Sequence, residues 1–107
     1  MHELSQAEFD HTFASPMTNV TGCEEELVDL WSYAEPALKK TFPGQETSEM
    51  DVEYVYESGD NRWQHILIKT LKPDHYFVVV VDKGEKAIIG HHQLDLRSLY
   101  GLADLES

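Results

Sequence analysis

The feature that most constrains the fold is an uninterrupted apolar run at residues 76–81, which reads Tyr-Phe-Val-Val-Val-Val. β-Branched and aromatic residues favour strands, and a run without polar alternation is typical of a strand covered on both faces. The run lies within residues 63–96, the part of the chain that is richest in such residues. We therefore expect a sheet here, and the function of the protein must be built on or against it.

Three turn signals divide this region and the residues before it into strands. They lie at residues 58–61, 72–75 and 82–85, and the second has proline where a type I turn prefers it. Residues 51–57 alternate valine and tyrosine with carboxylates, as a half-buried strand does. Four strands joined by tight turns predict an antiparallel meander. A short turn or helix at residues 95–102 is expected to return over one sheet edge.

The N-terminal part has helical signals. Ser5 and Glu8 have the spacing of a capping box, which predicts a short first helix at about residues 5–14. Thr21 and Glu24 form a second such pair before a run with apolar spacing of three to four residues. Pro36 lies inside that run, so a break near residues 33–35 is expected, with residues 36–42 as a separate turn or helix.

These signals predict one α+β domain over residues 1–107, with a helical part at about 5–42 and a sheet at about 51–96. Two or three N-terminal helices should pack on a four-stranded antiparallel β-meander that ends in a short C-terminal turn or helix. A chain of 107 residues is long enough to bury a core without metal or disulfide support.

The predicted register gives the sheet two apolar faces. Tight turns would pair Glu57 with Arg62, Leu71 with Tyr76 and Val81 with Lys86. One face is then aromatic and includes Val52 and His91, and the other is aliphatic and includes Leu94. We expect the helices to cover the aromatic face. The aliphatic face, interpreted as the surface of a homodimer, is formed by Ile66, Ile68, Phe77, Val79 and Ile88; the alternative is that residues 96–107 fold over it.

The net charge of −12 is concentrated in the N-terminal part of the chain. Residues 1–62 contain 14 carboxylates and three basic side chains, whereas the remainder contains six and five. Such a field repels nucleic acid and membrane phosphates and attracts basic proteins. No apolar run approaches the length of a membrane span, and the N-terminus lacks the pattern of a signal peptide, so we expect a cytoplasmic protein that binds neither nucleic acid nor membrane.

The carboxylates of the first predicted strand and its turn are the candidate partner-binding residues. They are Asp51, Glu53, Glu57 and Asp60, with no basic residue between them. A row of carboxylates can dock a basic protein. The alternative is that charge on an edge strand only prevents unwanted strand pairing.

The aromatic face offers a second hypothesis, a ligand pocket between the helices and the sheet. Its candidate residues are Tyr54, Tyr56, Trp63 and His65, and the histidine could act there as an acid or base. The alternative is a core histidine that is hydrogen-bonded to a tyrosine or carboxylate, with Asp82 the neighbour that the register predicts.

Metal and cofactor sites lack sequence support. Asp74, His75 and His92 are the candidate metal ligands, but no spacing characteristic of a metal motif accompanies them, and adjacent His91 and His92 on a strand point to opposite faces. No glycine-rich phosphate loop is present. We therefore expect no metal, no cofactor and no catalysis, but a small acidic module of the adaptor, inhibitor or immunity type that binds a basic protein. A small-ligand-binding or enzymatic α+β roll is the alternative.

Overall fold

The protein is an α+β domain, seen here in a computed structural model that describes residues 2–14, 16–23, 26–73 and 75–95. Its centre is an antiparallel sheet with the strand order β1-β2-β3-β4-β5. The elements in chain order are α1 (Gln6–Asp10), β1 (Thr18–Asn19), α2 (Leu30–Thr41), a 3₁₀ turn (Thr47–Glu49), β2 (Asp51–Glu57), β3 (Trp63–Lys69), β4 (His75–Asp82) and β5 (Ala87–Asp95). The α+β class and the meander of four long strands are confirmed, and the short β1 makes a fifth strand that was not predicted. The C-terminal turn or helix predicted at residues 95–102 lies almost wholly outside the described residues.

The first helix begins where its sequence predicts and ends earlier. The Ser5 side chain accepts a hydrogen bond from the backbone N–H of Glu8, and the Glu8 carboxylate accepts one from the backbone N–H of Ser5. Leu4 and Phe9, on either side of the cap, are buried in the same cluster. The capping box is thus confirmed, although the helix ends at Asp10 rather than near residue 14.

The second helix differs from its prediction at both ends. It begins after Asp29, whose carboxylate accepts from the N–H of Ser32, and not after Thr21. It also continues through Pro36 to Thr41, so the predicted break is wrong. Ser32 and Pro36 both lie on the exposed side. The carbonyl that loses its partner to the proline ring is therefore one that water can reach, which lowers the cost of the missing hydrogen bond.

The observed sheet register is displaced from the predicted one by two residues at every hairpin. The observed pairs are Glu57 with Gln64, Lys69 with Tyr76 and Val81 with Ile88. Because the side-chain period of a strand is two, this displacement leaves each residue on its predicted face. The centre of each turn therefore lies one residue from its predicted position, but the division of the sheet into an aromatic and an aliphatic face is preserved next to the turns.

Two bulges reverse that division farther along the strands. Glu53 has no opposite residue in β3, so Val52 packs in the aliphatic cluster although Tyr54 packs in the aromatic one. Ile89 is the extra residue in β5. Beyond it His91 stacks on Phe77 of the aliphatic face, and Leu94 joins the aromatic cluster. A bulge adds one residue to one strand and so exchanges the faces of all that follow.

Each helix covers one face of the sheet. Phe9 of α1 packs on the aromatic face, and Ala34, Ala37 and Leu38 of α2 pack on the aliphatic one. The argument for a dimer, an aliphatic face without a cover, is therefore wrong. The five residues assigned to the dimer surface lie under α2 within the single chain: Ile66, Ile68, Phe77 and Val79 are buried, and Ile88 is partly buried. The homodimer itself stays an untested prediction.

Both sheet edges carry short neighbouring segments. β1 pairs only with Tyr56 and Glu57 at the end of β2, and Val20 adds one backbone hydrogen bond to Val55. On the other side the N-terminal segment runs parallel to β5, with the N–H of Leu4 donating to the carbonyl of His91. Gly90 permits this approach, since a Cβ there would lie 2.6 Å from the carbonyl oxygen of His2.

Candidate functional site

Two of the four predicted partner-binding carboxylates are engaged within the chain. The Glu57 carboxylate lies 2.9 Å from Lys83 Nζ, and the two side chains are only 18% and 14% exposed. The Asp60 carboxylate accepts from Ser58 Oγ and from the N–H of Arg62, and these hydrogen bonds lower the pKa of Asp60. Both groups therefore stabilise the β2–β3 hairpin and its surroundings, and Glu57 is largely buried whereas Asp60 is exposed.

Glu53 also has partners within the chain, whereas Asp51 forms no ion pair among the described residues. The Tyr76 hydroxyl donates to Glu53 Oε2 at 3.3 Å, and Lys69 Nζ lies 3.9 Å from that oxygen. Asp51 is exposed, and within the described residues no basic side chain lies within 4.0 Å of it. Asp51 and Asp60 are thus the two of the four predicted residues whose side chains are exposed and form no ion pair within the described chain.

Asp51 belongs to a groove that the sequence did not reveal. A cleft of about 580 Å³ lies between residues 26–31 and the aliphatic face of the sheet. A second cleft of about 380 Å³ lies between α2 and the 3₁₀ turn. Trp31 lines both clefts and is 38% exposed. We call these two clefts together the Trp31 groove.

The lining of the Trp31 groove combines apolar surface with negative charge. The apolar residues of the larger cleft are Leu27, Val28, Leu30, Trp31, Val52, Val55 and Ile66. Among the described residues, four carboxylates line the groove, Glu26, Asp29, Glu35 and Asp51, and no lysine or arginine lines either cleft. Lys39, one helical turn from Glu35, is the nearest compensating charge, at 3.0 Å from its carboxylate. The groove therefore has an apolar floor and an acidic rim.

Local sequence explains why the groove forms. Asp29 caps α2 at its N-terminus, so residues 26–28 approach as irregular chain rather than as the helix that was predicted there. An irregular segment packs less closely on a sheet than a helix does, and the space beneath it is the larger cleft. Trp31 follows Leu27 by four residues, the spacing of one buried helical face. That spacing does not apply once the helix begins at Leu30.

The predicted pocket on the aromatic face is not formed at His65. That residue is 0% exposed, stacks on Phe9 and meets Phe13 edge to face. Its Nε2 lies 2.6 Å from Thr12 Oγ1, and since Thr12 donates its own proton to the carbonyl of Phe9, Nε2 of His65 is the donor. Burial lowers the pKa of His65 to about 3, so the ring is neutral near pH 7. The interpretation as a core histidine is favoured, with Thr12 rather than Asp82 as the partner.

The other three aromatic candidates also pack into the core. Tyr54, Tyr56 and Trp63 belong to the aromatic cluster that α1 covers. Trp63 also lines a surface cleft of about 400 Å³ beside α1, together with His11 and Ile89. Tyr54, Tyr56 and His65 do not line that cleft. The four predicted pocket residues therefore do not come together around this cavity.

The candidate metal ligands lie on opposite faces of the sheet. His75 contacts Phe42 on the aliphatic side and lies 3.0 Å from Gln93 Oε1, whereas His92 stacks on Phe9 on the aromatic side. Asp74 lies outside the described residues. Within the described ranges there is no group of three or more histidine, cysteine, aspartate or glutamate side chains that could hold a metal ion.

No family model, curated protein or solved structure matches the chain. Among the helices of the described residues, neither has the length and apolar character that crossing a membrane requires.

Proposed function

We propose that this protein is an acidic binding module, of the adaptor, inhibitor or immunity type, that engages a basic protein through the Trp31 groove. One observation carries the proposal: an exposed tryptophan lies between two clefts that, within the part of the chain that the structure describes, are lined by four carboxylates and by no basic residue. Asp51 is common to this groove and to the sequence-based prediction. The proposed partner surface is thus the groove at the start of β2 and not the row of carboxylates along that strand.

The residue types in the groove are those that make protein contacts strong. An exposed tryptophan offers a large, rigid apolar surface, and its ring face attracts arginine and lysine. Carboxylates around it add attraction to a basic partner and speed the encounter, and like charge repels acidic proteins. An acidic rim around an apolar floor is complementary to a basic segment with an apolar centre.

A small-ligand protein is the second candidate, and one observation favours it. The larger cleft has a volume of about 580 Å³, within the range of roughly 300–1,000 Å³ that small-molecule sites have. This cleft lies on the aliphatic face and not on the aromatic one. None of the four pocket residues predicted from the sequence therefore lines it.

A charge-reversal experiment tests the proposed function. The probe is a fluorescein-labelled lysine–glycine peptide of about ten residues, and its binding is measured by anisotropy at about 0.05 M and about 0.3 M NaCl. Glu26→Lys with Asp51→Lys reverses two exposed rim carboxylates that have no ion pair in the described chain. We expect this double variant to bind at least about tenfold more weakly, equivalent to about 1.4 kcal/mol.

The matched control is Asp10→Lys with Glu85→Lys. It makes the same change in net charge at exposed positions outside the groove. We expect it to weaken binding no more than about threefold at the lower salt concentration, since distant charges are partly screened. Equal losses in the two double variants would show that only net charge matters and would refute the groove as the partner site.

A further inference from the structure

The floor of the larger cleft is the closed surface of the aliphatic core. Val55 and Ile66 line it and are only 1% and 7% exposed. Leu27, Val28 and Leu30 form the facing wall and are only partly buried. A partner that covers such partly buried apolar surface gains about 25 cal/mol of binding free energy for each Å² that it removes from water.

One polar side chain lies among these apolar residues. Gln64 lines the cleft and is 1% exposed, and its Nε2 donates to the Glu57 carboxylate at 3.3 Å. Glu57 is in turn held by Lys83 at 2.9 Å. The amide is therefore fixed by the ion pair beneath it, and the interior of the cleft carries no net charge of its own. The charges of the site, Glu26 and Asp29, are on exposed side chains.

We infer that the larger cleft receives one large apolar side chain, leucine-like in size, from a partner segment whose neighbouring residues are lysine or arginine. The inference rests on the proposed function and specifies the partner's recognition element. A cation itself does not suit the interior, because burying a charge among valine, leucine and isoleucine side chains is costly. The cations belong outside the cleft, opposite Glu26, Asp29 and Asp51.

This arrangement explains why apolar and acidic surface occur together. The apolar side chain supplies binding energy by leaving water, and the flanking cations select which segment carries it. A segment with the same apolar residue and acidic neighbours would be repelled by the rim. Trp31, which lines both clefts, would contact the segment on either side of the anchor.

A pair of peptides tests the inference. Both are the lysine–glycine peptide with its central residue replaced, in one by leucine and in the other by alanine. On the unaltered protein we expect the leucine peptide to bind about tenfold more tightly, since the leucine side chain buries more apolar surface. The leucine peptide should also shift the side-chain amide signals of Gln64 in NMR spectra, whereas the alanine peptide should not.

A variant that fills the larger cleft tests whether the preference for the leucine peptide arises there. Val52→Phe places an aromatic ring in the larger cleft, and we expect it to reduce the preference for leucine to about twofold or less. Ile89→Phe is the matched control, because Ile89 packs on the opposite face of the sheet. The control should retain the full preference.

The outcomes separate this inference from the proposed function. Equal affinities for the two peptides, with binding still weakened by Glu26→Lys and Asp51→Lys, would refute the anchor and leave the basic partner. A leucine preference that persists in Val52→Phe would place the anchor elsewhere and also refute it. No binding of either peptide would refute both proposals. Displacement of the leucine peptide by equimolar n-hexylamine would overturn the peptide source in favour of a small amphiphilic amine.

Discussion

Burial determines the chemistry of His65. The ring lies under Phe9 and Phe13 and donates to Thr12, and burial holds its pKa at about 3 against an ordinary value of 6.5. Between these two pH values the unfolded chain binds a proton that the folded chain does not. The contribution of neutral His65 to stability is therefore complete above about pH 6.5 and is lost as the pH falls toward 3.

We predict that the free energy of unfolding falls with acid by up to roughly 1.4 kcal/mol for each pH unit between about 6 and 4 because of this residue. His65→Gln removes the titrating group, so the free energy of unfolding should depend less steeply on pH in this range. This holds whatever the absolute stability of the variant. Urea unfolding at a series of pH values measures the slope, and His11→Gln, at an exposed histidine, is the control. Part of the slope should remain, since burial also lowers the pKa of His91. An unchanged slope in His65→Gln would contradict the assignment.

The sequence could place His65 on the correct face but not identify its partner. Alternation along the strand puts His65 with Trp63 and Leu67, and all three belong to the aromatic side. Thr12 is 53 residues away and belongs to the turn after α1. Which side chain meets the ring depends on how α1 lies across the sheet, and no local pattern contains that information.

Helix α2 is the element in which local rules and packing disagree. Pro36 should interrupt a helix, yet α2 runs from Leu30 to Thr41 because Ala34, Ala37 and Leu38 bury one side of it against the sheet. Helix propensity is a weak preference, and the free energy of tertiary packing can outweigh it. The proline lies on the exposed side, where its cost is lowest.

We predict that Pro36→Ala raises the free energy of unfolding by about 1–2 kcal/mol. The gain of a helical hydrogen bond and of helix propensity is about 3 kcal/mol, and the greater freedom of the unfolded chain offsets roughly 1 kcal/mol of it. Urea unfolding checks the value, with Pro43→Ala, beyond the end of the helix, as control. A loss of stability in Pro36→Ala would mean that the proline ring makes a contact that the helix needs.

The end of this helix also determines the candidate site. A helix that started at Thr21, as the capping pattern indicated, would have covered the sheet where the larger cleft now lies. Asp29 competes for the same role, and its carboxylate contacts both the N–H and the hydroxyl of Ser32. Two acceptable caps eight residues apart cannot be ranked without the packing that follows each of them.

Over the whole molecule, 20 carboxylates and eight basic side chains repel more than they attract. Five ion pairs join described residues, and one of them involves a histidine. Compaction brings the remaining carboxylates closer together, so folding is opposed by a general repulsion that salt screens.

We predict that the melting temperature rises by several degrees between about 0.02 M and about 0.5 M NaCl, because the Debye length falls from roughly 20 Å to roughly 4 Å. Asp10→Lys with Glu85→Lys, which reduces the net negative charge, should show a smaller rise. Scanning calorimetry at a series of NaCl concentrations measures both. A melting temperature that falls with salt would indicate that specific ion pairs, such as Glu57 with Lys83, outweigh the repulsion.

The sequence by itself determined the sheet, its two apolar faces and the acidity, because strand alternation, turn residues and charge are properties of neighbouring residues. The tertiary structure decided what covers each face, where α2 begins and which carboxylates remain exposed to a partner. These depend on contacts between residues far apart in the chain, such as Ala37 with the aliphatic face and Lys83 with Glu57. The Trp31 groove belongs to this second class, since it is the space left where an irregular segment, rather than a helix, crosses the sheet.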